Sequence, residues 1–238
     1  EDKTSKRNPS PPFITSSLQQ EASRKFGFNI KNTMSIAQKL YEGGHITYMR
    51  TDSTCLSEDA LKACQEYITK NYGKKYHNKK NYVSKSKNAQ EAHEAIRPTH
   101  IEKPVIEGTP QEVKLYSLIW KRTVASQMSA AEISINNIYI EIVYKKVIPY
   151  YFLAVNESII FEGFLKVYNI KSEEDDDTLQ TSNTNFKKGD ILEYEQIDSK
   201  EEYPKSIGRY NEASLVKKLE DLGIQTGASL HKCDASKI

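Results

Sequence analysis

Residues 109–144, TPQEVKLYSLIWKRTVASQMSAAEISINNIYIEIVY, change from a helical pattern to a strand pattern within one continuous stretch. Thr109, Pro110 and Glu112 supply an N-cap, a proline at the first helical position and a capping-box glutamate, so the first half is predicted to be a helix. From Ile133 onward, isoleucines recur with a period of two, which is typical of a half-buried strand. Because helical sequence is followed by antiparallel strand-forming sequence, the stretch predicts an α+β fold.

Turn and capping signals before this stretch predict three more helices. The first is expected to begin near Ser17 and to stop at Gly27, and the second to run from about Asn32 to the glycine pair 43–44. The third is expected to follow an N-cap at Ser57. Ser17 and Gln20 are predicted to form the capping box of the first helix. Apolar spacing predicts the buried faces of the second and third helices: Ile36, Ala37, Leu40 and Tyr41, then Leu61, Cys64 and Ile68.

The sequence after residue 144 predicts further strands and one more helix. The segments YYFLAV (150–155), IIFEGFLKVY (159–168) and DILEYEQI (190–197) are separated by turn signals and predict antiparallel strands. Asn211 is expected to cap a helix that ends at Gly223. The buried face of this helix is predicted to contain Leu215, Val216, Leu219 and Leu222. Residues 1–12 are polar and end in Pro11 and Pro12, which predicts a linker or the edge of a larger unit. The change from helical to strand patterns predicts two domains.

Composition predicts a soluble globular protein. The chain has 238 residues, 37% hydrophobic and 28% charged, with a formal net charge of +2. It contains no apolar run of about 18 residues, so no membrane span is predicted. Cys55, Cys64 and Cys233 have no zinc-site spacing, which favours a reducing compartment.

A lysine-rich segment, residues 71–88, shows no helical or strand period and is predicted to be a loop. It contains Lys74, Lys75, Lys79, Lys80, Lys85 and Lys87. Its lysines and tyrosines could hold a nucleic acid through charge and stacking, or the segment could be a flexible surface loop. The acidic run at 173–177 offsets this positive charge in the net charge of the chain.

The motif GGHITYMRTDSTCLSED, residues 43–59, contains the first candidate site. If the segment is extended, Tyr48, Arg50 and Asp52 lie on one face. Taken alone, a tyrosine is most often a packing residue. A guanidinium, however, favours a nearby phenolate and can clamp a phosphodiester, which suits attack of a tyrosine on phosphorus.

The motif EAHEAIRPT, residues 91–99, contains the second candidate site. A helical geometry would place His93 and Arg97 on one face, with Pro98 ending the turn. A surface helix with a salt-bridged histidine is the simpler alternative. No H-E-x-x-H pattern is present, so no metal site is predicted here.

Three motifs in this order, ITYMRTDS, EAHEAIRPT and RYNEASLVKKLEDLGI (209–224), resemble the type IA DNA topoisomerases. Three further segments resemble the bacterial topoisomerase I branch: PPFITSSLQQEAS, LYSLIWKRTVASQMSAAE and FEGFLKVY. The resemblance extends over about residues 9–224. It implies a multidomain α+β fragment. The expected units are a linker from a preceding domain (1–12), a helical tyrosine-bearing domain (13–131), an antiparallel, strand-rich hinge or arch domain (132–204) and the start of a further helical domain with an atypical tail (205–238).

The resemblance also implies a reaction and a set of site residues. Tyr48 is expected to cut one DNA strand and to remain bound to the 5′ phosphate while the other strand passes. The 3′ hydroxyl then reseals the cut without ATP, which relaxes negatively supercoiled DNA. Arg50 is expected to hold the phosphate, His93 to assist, and Asp52 to orient either of them. The expected DNA contacts are Arg50, Asp52, His93, Arg97, Arg209 and Lys218.

Magnesium is the cofactor that the resemblance implies, bound in this family by a Toprim domain that nothing in this chain resembles. The chain is therefore expected to be a central fragment that is inactive alone, with no metal ligands of its own. Asp175 and Asp177 match the D-x-D pattern only superficially, because no partner glutamate accompanies them. After LEDLGI, the tail at 225–238 departs from the family pattern.

The expected partner is DNA that is single-stranded or negatively supercoiled. No association with a membrane is expected, and the protein is expected to be a monomer. The expected location is the cytoplasm, on chromosomal DNA, if the source is bacterial; organellar or nuclear DNA stays open. The alternative function is a non-catalytic module that binds single-stranded DNA and lacks the metal-binding domain.

Overall fold

A computed structural model describes residues 2–82, 94–144, 146–168, 186–201, 203 and 208–222 of the chain. Its strands are β1 (Asp2–Arg7), β2 (Ala131–Tyr144) and β3 (Lys146–Phe161). Its helices are α1 (Thr15–Phe26), α2 (Ile30–Glu42), α3 (Glu58–Tyr72), α4 (Pro110–Ser126) and α5 (Glu212–Asp221). Short 3₁₀ helices follow α3, at Lys74–Tyr76, and β3, at Gly163–Lys166. The predicted α+β fold is confirmed.

Local capping signals determine where the helices begin. The Ser57 side chain accepts a hydrogen bond from the Ala60 N–H at the start of α3. At α4, Thr109 and Glu112 form the predicted reciprocal capping box. The predicted start of α1 is corrected from Ser17 to Thr15, because the Ser17 hydroxyl accepts from the Ile14 N–H one turn earlier.

The helical core surrounds α4. The predicted α3 stripe, Leu61, Cys64 and Ile68, is buried. Two polar groups of α4 fix the segment that covers the helix: the Trp120 indole donates to the Ile101 carbonyl at 2.8 Å, and the Tyr116 hydroxyl donates to the Lys103 carbonyl at 2.6 Å. Side chains from all parts of the helical region fill this core, among them Phe13, Leu18, Leu40, Ile46, Met49, Ile68, Ile96, Leu115, Ile119 and Met128.

The strands form one antiparallel sheet in the order β1-β2-β3. Strand β1 corrects the sequence prediction, which placed residues 2–7 in a linker. Its polar sequence carries little strand signal, but its backbone pairs with β2 in a register that sets Lys3 opposite Ile135. The pairing partner, which is distant in sequence, makes these residues a strand.

Two segments predicted as strands differ from the prediction: only residues 159–161 of the segment 159–168 lie in β3, and residues 190–197 form no strand. After Phe161 the chain turns into the second 3₁₀ helix, and Phe164 and Tyr168 are buried in the helical core. Gly163 permits this turn: it has φ +50° and packs so closely on Ala130 that a Cβ would lie 2.5 Å from the carbonyl oxygen. Residues 190–197 lie within a described stretch that contains no strand, and their apolar side chains are exposed.

Helix α5 packs against α1, and the Ile30 N–H at the start of α2 donates to Glu212 at 3.1 Å. Asn211 caps it as predicted, accepting from the Ser214 N–H at 2.8 Å. The prediction of four inward residues is wrong in part: Val216 is buried, whereas Leu215 and Leu222 are exposed. The predicted stop at Gly223 lies outside the described residues.

The lysine-rich segment is fixed along the C-terminal end of α4 as far as it is described. The Asn78 N–H donates to the Gln127 carbonyl at 3.0 Å, and the Gln127 side chain donates to the Lys80 carbonyl at 3.1 Å. The Ser129 N–H donates to the Tyr76 carbonyl at 2.8 Å. These bonds attach residues 76–80 to the end of α4, and both interpretations of the segment stay predictions. Lys85 and Lys87 lie outside the described residues.

Candidate active site

Tyr48 lies in an extended segment that joins α2 to α3. Along it, exposed Tyr48, Arg50 and Asp52 alternate with the buried residues Met49, Thr51 and Ser53. This is the period of two expected of an extended chain. The buried residues anchor the segment in the helical core, and the three polar side chains form one solvent-facing row, which we call the Tyr48 row.

The segment before Tyr48 is held by residues 95–99. Ile46 and Pro98 form an antiparallel bridge, and the Thr47 N–H donates to the Arg97 carbonyl at 2.9 Å. The Thr47 hydroxyl donates to the Ala95 carbonyl at 2.7 Å and accepts from the Arg97 N–H at 2.9 Å. The backbone that leads into Tyr48 is therefore fixed by main-chain and side-chain bonds.

The predicted helical geometry of EAHEAIRPT is wrong for residues 94–98. Ile96 forms an antiparallel bridge with Phe13, and the Ala95 N–H donates to the Cys55 carbonyl at 2.8 Å. Both side chains are buried, and proline disfavours a helical conformation of the residue before it. His93 lies outside the described residues, so its predicted place beside Arg97 stays a prediction.

Behind the Tyr48 row, the first residue of α1 bonds to the backbone of Met49 and Thr51. The Thr15 hydroxyl lies 2.8 Å from the Met49 carbonyl and 3.0 Å from the Thr51 carbonyl, and it accepts from the Thr51 N–H at 2.9 Å. The Thr15 N–H donates to the Thr51 carbonyl at 3.0 Å. These bonds attach the chain on both sides of Arg50 to α1.

The ring of Tyr48 contacts the ring of Tyr41 from α2. Their centroids are 5.3 Å apart with an interplanar angle of 67°, an edge-to-face arrangement. Tyr41 was predicted to face the core with Leu40, but it is exposed, because it lies at the end of α2 beside the Tyr48 row. Tyr48 is 47% exposed, so its ring is supported on one side and open to solvent.

Arg97 is bound within the protein. Its Nη2 lies 2.7 Å and its Nε 3.3 Å from the two carboxylate oxygens of Glu94, and its Nη1 donates to the Pro98 carbonyl at 3.1 Å. The side chain is only 16% exposed. These bonds give Arg97 a structural role, and its predicted DNA contact stays a prediction.

Glu94 connects Arg97 to α3, since its carboxylate also accepts from the Ser57 N–H at 2.6 Å. Partial burial disfavours the charged carboxylate, but the hydrogen bonds from Arg97 and Ser57 outweigh it and lower the pKa of Glu94 below its ordinary value. The charged Glu94 thereby ties residues 94–98 to the N-terminus of α3.

Stability should depend on pH through Glu94. The pKa of Glu94 is lower in the folded state than its ordinary value of 4.5. Its charge therefore stabilises the folded state fully above pH 4.5, and this contribution is lost as the pH falls through the pKa of the folded state. Glu94→Gln should therefore cost roughly 1–3 kcal/mol at neutral pH. Thermal unfolding of both chains from about pH 7 to about pH 3 should give Tm values that converge at the acidic end.

Glu102→Gln is the matched control for this titration, because Glu102 pairs with His100 at the exposed surface. An exposed ion pair contributes little to stability, so the Tm of the Glu102→Gln variant should stay close to that of the unchanged chain. A Glu94→Gln difference that stays constant over the whole pH range would contradict the role of the Glu94 charge.

The other predicted DNA contacts lie on or beside α5. Lys218 is on the helix and Arg209 precedes it, and both side chains are exposed. In the described part of the chain, no three His, Cys, Asp or Glu side chains are grouped so that they could hold a metal ion. Within the same residues, none of the helices has the length and apolar character needed to span a bilayer.

Sequence reasoning missed Thr15. The family resemblance included its segment, but no local pattern indicated that its hydroxyl reaches the Tyr48 row. The only signal was the position of a short polar residue at the start of a predicted helix, which is ordinarily explained by capping.

The comparisons with known proteins agree with these motifs. A profile of the DNA topoisomerase family matches residues 1–233. The "DNA topoisomerase 1 type prokaryotic" of Acanthamoeba polyphaga mimivirus is 50% identical over 94% of this chain and 28% of its own length. The DNA topoisomerase 1 of Rickettsia felis is 45% identical over 94% of this chain and 30% of its own length. The chain thus spans less than a third of these relatives.

The fold comparison gives the same result. The structure of full-length topoisomerase I from Thermotoga maritima matches with a TM-score of 0.70 and 33% sequence identity, covering 98% of this chain and 39% of that protein. Sequence motifs, family profile and fold therefore agree, and the chain belongs to the type IA DNA topoisomerases, in the bacterial topoisomerase I branch.

Proposed function

We propose that this chain supplies the nucleophile of a type IA topoisomerase reaction. In that reaction one DNA strand is cut through a 5′-phosphotyrosyl ester, the other strand passes, and the cut is resealed without ATP, which relaxes negatively supercoiled DNA. Because the chain spans less than a third of the curated relatives it matches, the proposal concerns the part that this segment plays in the whole enzyme. The observation that carries it is the exposed Tyr48 row in a chain of this family.

Tyr48 is proposed to attack the scissile phosphorus. Its phenolic oxygen forms a new bond to phosphorus and loses its proton, while the bond from phosphorus to the 3′ oxygen breaks and that oxygen gains a proton. One phosphoester bond is exchanged for another, so the reverse attack by the 3′ hydroxyl needs no ATP. The exposed ring of Tyr48 leaves room for a DNA strand to reach the hydroxyl.

Arg50 is proposed to bind the scissile phosphate beside Tyr48. A guanidinium can donate two parallel hydrogen bonds to phosphate oxygens and stabilise the charge that develops on them. Two features support this role: Arg50 is exposed on the same face as Tyr48, and its backbone is held by Thr15. The guanidinium is thereby proposed to contact the phosphate next to the nucleophile.

The remaining site residues are proposed in supporting roles. His93 is proposed to assist by hydrogen bonding near the cut, and Asp52 to orient Arg50 or His93. The exposed Arg209 and Lys218 are proposed to contact the DNA backbone. Magnesium is proposed as the cofactor of the whole enzyme; the described residues include no group of three His, Cys, Asp or Glu side chains that could hold it.

DNA is the proposed partner, bound where it is single-stranded or negatively supercoiled, and the protein is proposed to act as a monomer. The proposed location is wherever that DNA lies: the chromosome in the cytoplasm of a bacterium, or organellar or nuclear DNA in another source.

A chimaera tests the proposed function in a complete enzyme. In it, this chain replaces the matching segment of the Rickettsia felis DNA topoisomerase 1, which is 45% identical to it. The chimaera should relax negatively supercoiled plasmid without ATP and form a covalent adduct with single-stranded DNA. A folded chimaera that binds single-stranded DNA without forming an adduct would contradict the proposal and favour the non-catalytic alternative.

The isolated chain should bind single-stranded DNA weakly and in a salt-dependent manner. Contacts between lysines and phosphates are independent of sequence, and dissociation constants of about 10⁻⁴ to 10⁻⁶ M are expected at physiological salt. Lys74→Glu should weaken binding, since Lys74 is exposed in the lysine-rich segment. Fluorescence anisotropy of a labelled oligonucleotide, measured over a series of salt concentrations, gives both the affinity and the salt slope.

Lys31→Glu is the control for this measurement, because it makes the same charge change at an exposed site on α2. An equal loss of affinity in both variants would indicate an effect of total charge only. Binding that does not depend on salt would contradict a backbone contact through the lysine-rich segment.

A further inference from the structure

The Thr15 hydroxyl lies between the two peptide groups that flank Arg50. The peptide group before Arg50 contains the Met49 carbonyl, which lies 2.8 Å from this hydroxyl. The peptide group after Arg50 contains the Thr51 N–H, which donates to the same oxygen at 2.9 Å. Among the described residues, only Thr15 has a side chain that hydrogen-bonds to both of these peptide groups.

One hydroxyl can make both bonds at the same time. A threonine hydroxyl has a single proton to donate and lone pairs that accept. It donates to the Met49 carbonyl, with the Thr51 carbonyl at 3.0 Å as a second acceptor, and it accepts from the Thr51 N–H. Thr15 is only 7% exposed, so water competes little for these bonds.

We propose that Thr15 is a positioning residue for Arg50. The orientations of the two flanking peptide planes set φ and ψ of Arg50, and these angles set the direction in which its side chain leaves the backbone. A small rotation of either plane is amplified along the arginine side chain to the guanidinium. The inference rests on the proposed function, in which that guanidinium binds the scissile phosphate.

The position of Thr15 in the fold makes this anchor rigid. Thr15 is the first residue of α1, and its N–H, which has no partner within the helix, donates to the Thr51 carbonyl at 3.0 Å. The next turn of α1 places Leu18 in the core. The Tyr48 row is thereby connected through Thr15 to a helix that is packed in the core.

A double-mutant cycle in the chimaera separates positioning from ordinary stabilisation. The variants are Thr15→Val, Arg50→Ala and the double substitution, measured as single-turnover cleavage of labelled single-stranded DNA at saturating concentration. Thr15→Val should slow cleavage by about 10- to 100-fold, the scale of a displaced catalytic contact. Once Arg50 is alanine, the same change should alter the rate by less than about twofold, because no guanidinium remains to be positioned.

Two further variants keep this test decisive. Thr15→Ser retains the hydroxyl and should restore the rate to within about threefold of the unchanged chimaera, because both hydrogen bonds can form again. Thr15→Ala removes the hydroxyl without setting a second methyl group against the Met49 carbonyl, and should show the same loss of about 10- to 100-fold as Thr15→Val. It replaces Thr15→Val in the cycle if the valine variant does not fold. Tm values and DNA affinities are measured for every variant.

Several results would overturn the inference. They are an unchanged cleavage rate in Thr15→Val and Thr15→Ala, equal fractional losses with and without Arg50, or a loss confined to DNA affinity. If Arg50→Ala alone leaves the rate unchanged, the proposed role of Arg50 fails, and the inference fails with it. If Arg50→Ala slows cleavage and the two losses multiply, the proposed function survives and only the positioning role is lost.

Discussion

Tyr48→Phe should abolish the covalent DNA adduct and leave the fold intact. Phenylalanine keeps the ring and its edge-to-face contact with Tyr41 but lacks the oxygen that would bond to phosphorus. The Tyr48 hydroxyl makes no hydrogen bond to the residues that the structure describes. Its removal should therefore change Tm by no more than about one or two degrees.

The measurement is denaturing electrophoresis of the chimaera after reaction with end-labelled single-stranded DNA. Tyr41→Phe is the matched control, since it removes the same hydroxyl from the exposed ring beside Tyr48. Adduct should form in Tyr41→Phe and disappear in Tyr48→Phe. Adduct that persists in Tyr48→Phe would show that another residue is the nucleophile.

Arg50→Ala should slow cleavage by about 10² to 10³-fold, the scale of losing one preorganised contact to developing charge. The nucleophile remains, but the phosphate loses its bidentate partner. Arg50→Lys should recover only part of the rate, because an ammonium is a point charge without the planar fork of donors. Single-turnover cleavage at a saturating DNA concentration gives the cleavage rate of both variants without a contribution from changes in DNA affinity.

Arg7→Ala is the control for this series. It removes the same kind of side chain from the sheet, where Arg7 pairs with Glu157 at 2.9 Å, and should leave the cleavage rate unchanged. Similar losses in Arg7→Ala and Arg50→Ala would indicate an effect of net charge and contradict a specific phosphate contact.

The Tyr48 row could be predicted from sequence because its geometry is local. In an extended chain, the period of two places Tyr48, Arg50 and Asp52 on one face whatever surrounds them. Helix starts at Ser57 and Thr109 were predictable for the same reason, since each cap involves residues within one turn. These features depend on neighbouring residues and little on the rest of the fold.

Residues 94–98 show where local reasoning fails. Their sequence is compatible with a helix, but Ile96 pairs with Phe13, and Pro98 pairs with Ile46. Both partners are distant in sequence, and the burial of Ile96 outweighs local helix preference.

Strand pairing explains the remaining differences. Residues 2–7 carry a weak pattern and form a strand because β2 offers a free edge, whereas residues 190–197 alternate well and form no strand in the part of the chain that the structure describes. A strand depends on its partner as much as on its own sequence. Thr15 was missed for a related reason, because its two bonding partners lie 34 and 36 residues away.

Peptide mapping of the trapped adduct tests the central claim most directly. Trypsin cleaves after Lys39 and Arg50, so the expected peptide, residues 40–50, contains both Tyr41 and Tyr48. Fragmentation of this peptide must therefore assign the nucleotide to one of the two tyrosines. We predict that the nucleotide is attached to Tyr48 through its 5′ phosphate; attachment to Tyr41 or to any other residue would contradict the account.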